Sequence, residues 1–197
     1  MITPALPRSR DESATVLALA ARGGDPCAAD LFVRALHHDV RRYVARLCAD
    51  PHLADDLAQE TFLRALGSLH RFEGRSSART WILSIARRSV VDNFRRDAAR
   101  PRLSQTADWH SAAERARLHP APGFDEGVAL SALLEALPEK RREAFVLTQL
   151  LGLPYTEAAA LIGCPVGTIR SRVNRARLTL IAQLEDAERH AAGAMPD

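Results

Sequence analysis

The 197-residue sequence predicts an all-α protein built as two small helical domains joined by a flexible linker. Apolar residues recur at three- and four-residue spacing along most of the chain, and no long alternating run of β-branched residues suggests a strand. Two Asp-Pro pairs, Asp25-Pro26 and Asp50-Pro51, each join a capping carboxylate to a proline suited to the first helical position. Between residues 103 and 127 the periodicity fails in favour of Ser, Gln, Thr, Pro and scattered charge. The expected organisation is a tail over 1–14, a helical domain over 15–102, the linker over 103–127, a second helical domain over 128–187 and a tail over 188–197.

Taken in order, the helix that starts at Asp25 places Ala29, Phe32, Val33, Leu36, Val40, Tyr43, Val44 and Leu47 along one side. The helix that starts at Asp50 ends near Gly67. A loop over 72–78 leads into a helix in which Trp81, Ile85 and Val91 face inward. Trp109 stands alone in the linker, where a stray aromatic and an anchor for a partner are equally good readings. Val128, Leu130, Leu133, Leu134 and Leu137 then form a stripe ended by Pro138. A helix over 139–151 is stopped by Gly152, a short one follows over 156–162, and Gly163-Cys164-Pro165 breaks the chain before a long helix over 166–187.

Several function classes drop out. Cys27, Cys48 and Cys164 are odd in number and widely spaced, so neither a disulfide framework nor a zinc site is indicated. His37 and His38 are neighbours that point about 100° apart on a helix, which suits a solvated face better than a metal. No carboxylate or Cys/His cluster has ligand spacing, and no Ser-His arrangement stands out; no cofactor and no enzymatic activity are expected. No apolar run approaches the roughly 18 residues of a membrane span, and the N-terminus lacks the apolar stretch of a secretory signal. A cytoplasmic protein with no membrane segment of its own is expected.

Charge is distributed unevenly. The net charge is +3, yet residues 63–102 hold ten Arg against three acids, and residues 163–181 hold four Arg and no acid. Two basic blocks in a nearly neutral chain point to two contact surfaces for a polyanion.

The second block has a helix-turn-helix outline: a short helix, a break containing Gly, and a longer helix. Val166, Ile169, Val173, Ala176, Leu180 and Leu184 fall on one buried face. Arg170, Ser171, Asn174, Arg175 and Arg177 lie on the exposed arc, with Arg172 on the opposite flank. A merely solvated face would mix signs; here no acid occurs until Glu185. In a DNA major groove Arg reads guanine, Asn reads adenine and flanking arginines grip phosphate. Thr168 and the first-turn amides could hold a further phosphate.

The first block, RFEGRSSARTWILSIARRSVVDNFRRDAARPR, joins a small-residue loop, an aromatic and paired arginines that the sequence leaves without acidic partners. Such features suit single-stranded nucleic acid, although Trp81 itself is more simply a core residue. On the helix from Asp50, the acids Asp55, Asp56 and Glu60 with Gln59 lie opposite Leu53, Leu57 and Leu66. Asp55 is explained by the helix dipole; spacing alone leaves a protein-docking face and a plain solvated face equally open.

The stretches DDLAQETFLRAL (55–66), RSSARTWILSIARR (75–88), LLEALPEKRREAFVLTQLLGLPYTEAA (133–159) and GCPVGTIRSRVNRAR (163–177) together resemble the extracytoplasmic-function sigma factors of bacterial RNA polymerase, and among them an actinobacterial group. The resemblance covers nearly everything from about 15 to 186 except the linker. It implies a sigma-2 helical bundle and a sigma-4 helix-turn-helix domain. Asp55, Asp56, Gln59 and Glu60 would dock on the clamp helices of the polymerase β′ subunit. Arg75, Ser76, Ser77, Arg79, Thr80, Trp81, Arg87, Arg88, Asp92, Arg95 and Arg96 would open the −10 element and hold a flipped base. Thr168, Arg170, Ser171, Arg172, Asn174, Arg175 and Arg177 would contact the −35 element. Core polymerase, including its β flap, and promoter DNA are the implied partners, and an anti-sigma protein is compatible with the family. Arg88 stands where relatives often have Asn, Asn93 where an aromatic or His is common, and Asn174 where some carry a bulky residue. The function expected is a sigma factor directing transcription initiation; the alternative is a stand-alone helix-turn-helix regulator binding duplex operator DNA.

Overall fold

A computed structural model describes residues 10–48, 50–99 and 124–193, and the regular elements among them are all helical. The first half comprises α1 (Arg10–Arg22), α2 (Pro26–Leu47), α3 (Pro51–Ser68), which runs into a 3-10 turn over Leu69–Arg71, and α4 (Ala78–Ala99). The second comprises α5 (Phe124–Glu135), α6 (Glu139–Phe145), a π-helical turn over Val146–Leu150, α7 (Tyr155–Ile162) and α8 (Val166–Gly193).

Both Asp-Pro pairs start helices as the sequence predicts. The Asp25 carboxylate accepts from the Cys27 and Ala28 amides at 2.9 and 3.2 Å, and Asp50 accepts from His52 at 2.9 Å. Phe32, Leu36, Val40, Tyr43 and Val44 of α2 are completely buried against Ala54 and Leu57 of α3 and Ile82, Leu83 and Ala86 of α4. In the second half Leu134, Leu137, Leu147, Ala158, Ile169, Val173 and Ala176 form the core. The buried residues of both halves join in one apolar cluster, so the two helical units pack on each other.

The structure differs from the expected elements at several points. Helix α1 begins at Arg10, inside the stretch expected to be a tail. It packs through Ala14 and Ala18, both fully buried, and such small residues leave a faint apolar signature. Helix α5 begins at Phe124, so the last residues assigned to the linker are helical; the rest of that linker, with Trp109, lies outside the described residues. The single helix expected over 139–151 changes at Val146 to a π-helical turn, closed by the Leu151 amide on the Val146 carbonyl at 2.9 Å. Helix α8 runs on to Gly193, and Leu184, placed on the buried face by periodicity, is 48% exposed. Trp81 is half buried, its ring centroid 5.0 Å from that of Phe72 and 6.4 Å from that of Phe32; Val91 is also half buried. No helix among the described residues is long and apolar enough to cross a membrane.

Candidate nucleic-acid interface

Gly163 sets the geometry of the helix-turn-helix. It ends α7 in the left-handed region at φ +78°, and its amide and that of Cys164 both reach the Ala159 carbonyl, at 2.9 and 3.1 Å. The chain then enters α8, whose Ile169, Val173 and Ala176 are buried while Arg170, Ser171, Asn174 and Arg175 are exposed on the outer face. The flanking arginines are placed differently. Arg172 is half buried with Nη1 3.7 Å from Cys164 Sγ. Arg177 is exposed, but its Nη2 donates to Gln149 Oε1 in the π turn. Gln149 Nε2 in turn donates to the Tyr155 hydroxyl at 3.3 Å, which braces α8 against the start of α7. The Thr168 amide already donates to the Pro165 carbonyl at 2.9 Å. That amide is therefore engaged within the chain.

The basic block of the first half is arranged otherwise. Several of its arginines, unpartnered in the sequence, are paired in the fold. Arg75 lies 2.5 Å from Glu73 on an exposed loop, and Ser76 is exposed beside it. Ser77 caps α4, its Oγ accepting from the Thr80 amide at 3.1 Å. Arg79, only 14% exposed, has Nε 2.8 Å from Asp39 Oδ2 and Nη1 3.7 Å from Asp11 Oδ1. Further along α4, Asp92 lies 3.4 Å from Arg64, and Arg96 lies 4.0 Å from Glu60. Arg88 and Arg95 are exposed.

Four of these side chains meet the second helical unit. Arg79 Nη2 donates to the Leu151 carbonyl at 2.5 Å. The Thr80 hydroxyl donates to Glu157 Oε2, and Ser77 Oγ lies 3.3 Å from the same oxygen. Arg87 Nε donates to Glu143 Oε1 at 2.7 Å, and that oxygen also accepts from the Tyr43 hydroxyl at 3.0 Å. Burial by itself would lower the Arg87 pKa, but the bond to Glu143 and its charge outweigh that and raise it. Tyr43, wholly buried, is held well above the usual phenol range by burial first and then by the Glu143 charge and hydrogen bond. Arg46 adds a bond to Ser131 Oγ at 2.5 Å.

The acidic set on α3 forms a separate surface. Asp55, Asp56 and Gln59 are exposed and Glu60 is partly exposed. Asp55 accepts from Arg41 Nε at 2.7 Å, a bond that holds its carboxyl below the usual range. Glu60 is 2.5 Å from Arg64. Leu57 and the partly buried Leu53 face the bundle, but Leu66 does not lie opposite the acids as expected. It is 40% exposed, and Leu63, which sequence reasoning missed, is 65% exposed. Both stand within a turn or two of Gln59 on the outward side; the spacing Gln59, Leu63, Leu66 was the signal available. Cys48 is buried, its thiol pushed up to about 11 chiefly by burial, which makes it a poor nucleophile.

Comparison with known proteins gives this architecture a lineage. The Sigma-70 region 2 model matches residues 32–100 and the Sigma-70 region 4 model matches residues 127–180. The chain is 50% identical over 177 residues to the ECF RNA polymerase sigma factor SigC of Mycobacterium tuberculosis (strain CDC 1551 / Oshkosh), an alignment covering 90% of this chain and 94% of that one. Among solved structures it resembles CnrH in complex with the cytosolic domain of CnrY, with a TM-score of 0.68, 25% identity and coverage of 88% and 98% of the two chains. It also resembles the sigma factor RpoE in complex with the anti-sigma factor NepR from Bartonella quintana, with a TM-score of 0.62, 26% identity and coverage of 79% and 96%. An all-helical pair of units, one a helix-turn-helix with an arginine-rich outer face, thus meets two family models in the right order: the chain belongs to the ECF RNA polymerase sigma factors of the sigma-70 family.

Proposed function

We propose that the chain delivers core polymerase to promoters by three surfaces, each with its own residues. Helix α8 lies in the −35 major groove, with Arg170, Ser171, Asn174 and Arg175 facing base edges and backbone. Arg172 and Arg177, already engaged with Cys164 and Gln149, act at its margins. The loop before α4 and the length of α4, from Arg75 to Arg96, receive the melted −10 strand. The outer face of α3 docks on the polymerase clamp through Asp55, Asp56, Gln59 and Glu60, with Leu63 and Leu66 adding apolar area. The observation that carries this assignment is the outer face of α8, exposed, cationic and free of acids over four turns. The protein acts in the cytoplasm as an initiation factor with no chemistry of its own.

The contacts between the two units add a condition. Ser77, Arg79, Thr80 and Arg87 meet Glu157, the Leu151 carbonyl and Glu143. A DNA strand can reach them only after the second unit moves away. Core polymerase, by binding the two units at separate places, supplies that separation and sets the spacing that lets two weak DNA surfaces act together. The RpoE neighbour is captured with an anti-sigma factor, and a protein of that class is a fitting competitor for the same surfaces here.

Run-off transcription with core polymerase, alongside gel shifts with and without core, tests the assignment. Specific −35/−10 binding should require core; tight sequence-specific binding by the chain alone would favour a stand-alone regulator instead. Reversing Asp56 and Glu60 to Lys should abolish co-purification with core while leaving the helical content intact. Undiminished co-purification would mean that the docking face lies elsewhere.

A further inference from the structure

Helix α1 precedes the segment matched by the region 2 model, which begins at residue 32. One face of it runs alongside the loop that leads into α4. Asp11, Thr15, Leu19 and Arg22 follow at three- and four-residue intervals and so share that face. At the start of the loop, Arg22 Nη1 donates to the Phe72 carbonyl at 3.2 Å. At its middle, a Cβ added to Gly74 would stand 3.6 Å from both Leu19 methyls. At its end, Thr15 Oγ1 accepts from the Ala78 amide at 3.0 Å, while giving its own proton to the Asp11 carbonyl at 2.8 Å. Asp11 then reaches Arg79 in the first turn of α4.

These contacts are not what anchors α1. Ala14 and Ala18, fully buried, already fix it to the bundle. The polar contacts act on the loop, whose residues 73–76 are exposed and whose Gly74 takes φ +71°. A loop with so little packing of its own takes its shape from its ends. The Thr15 hydroxyl is well suited to hold one end: donation to Asp11 turns a lone pair toward the Ala78 amide, a first-turn donor with no partner within its helix.

We propose that α1 is a splint that fixes the shape of the 73–77 loop, making Thr15, Leu19 and Arg22 positioning residues for the unpaired −10 base that the loop receives. This rests on the −10 assignment made above. A pocket selects a base by holding its walls to within about half an ångström, so loosening either end of the loop changes both the capture of the base and the choice among bases.

The test uses full-length protein assembled with core polymerase, on a promoter carrying 2-aminopurine in the −10 element and on a set of single −10 substitutions. Thr15→Val keeps the shape of the side chain and removes the acceptor. It should lower promoter opening about three- to tenfold, the scale of one hydrogen bond, and flatten the preference among −10 sequences, with Thr15→Ser restoring both. Leu19→Ala should alter the preference while leaving the two loop ends held. Core binding and binding of a −35 duplex by the holoenzyme should stay unchanged in each variant. Arg75→Ala with Ser76→Ala tests the underlying assignment directly. If that pair impairs opening while Thr15→Val and Leu19→Ala leave opening and preference intact, the splint is refuted and the −10 assignment stands. If the pair has no effect either, both fall together. Equal losses in opening, core binding and −35 binding would also refute the splint, by reducing α1 to general support of the fold.

Discussion

The outer face of α8 and the α4 surface, the two regions proposed above to meet DNA, are both rich in arginine, yet they present it in opposite ways. On α8, Arg170 and Arg175 are exposed and no acid lies near them in sequence. On α4, Arg79 is 14% exposed and lies against Asp39, and Arg87 is bound to Glu143. One surface is displayed; the other is folded into a protein interface. The difference matches what each would read under the proposed assignment. A duplex presents its groove edges without deformation, and an open cationic face suffices. A single strand has to be captured after melting, and a surface that bound polyanions freely would capture any of them.

The sharpest way to break this comparison is Glu143→Ala. It leaves both Arg87 and Tyr43 without their shared acceptor, which should weaken the contact between the two units by about 2–3 kcal/mol. A pair of dyes, one on each unit, should report a shift toward separated distances, and binding of −10 single-stranded DNA by the free protein should rise while −35 duplex binding does not. Unchanged dye distances would mean that the interface does not depend on this carboxylate. Arg175→Ala sharpens the other side. It should cost about 1–3 kcal/mol of promoter binding by holoenzyme and relax preference at one −35 base pair, leaving −10 opening on a consensus template intact once bound. Transcription unaffected across −35 variants would remove Arg175 from the reading face. The smallest effect is expected from Gly163→Ala. Nothing within 4 Å opposes the added methyl, but φ +78° does, so unfolding should become easier by about 1 kcal/mol. Duplex binding should weaken through the tilt of α8, and the α4 surface should be untouched.

Much of α8 was legible because its information is local. Gly163, the apolar positions Ile169, Val173 and Ala176, and the exposed arginines all lie within fifteen residues, at spacings that helical geometry turns directly into faces. The same holds for the caps at Asp25 and Asp50. The state of α4 was not legible, because its partners are remote in sequence: Glu143 lies 56 residues from Arg87 and Glu157 lies 77 residues from Thr80. No periodicity carries such a pairing. Leu66 was misplaced for a different reason. Nine positions separate it from the buried Leu57, which puts it half a turn round α3, on the side of Gln59, where it is 40% exposed. Helix α1 escaped notice because alanines bury it, and a stripe of alanine hardly differs from a polar tail in apolar contrast.

The Tyr43–Glu143 bond makes the closed arrangement sensitive to alkali. Tyr43 keeps its proton more firmly while the units are packed than when its hydroxyl meets water, because burial and the nearby carboxylate disfavour the phenolate. Its contribution to closure is therefore complete below the ordinary phenol pKa of about 10 and is lost as pH rises through the higher value of the packed state. Opening should release a proton-binding chromophore into solvent, so the ultraviolet difference spectrum of tyrosinate becomes a label-free gauge of separation. On raising the pH of the free protein through about 10, that spectrum should appear at lower pH in Glu143→Ala, whose units separate more readily, than in the unmodified chain.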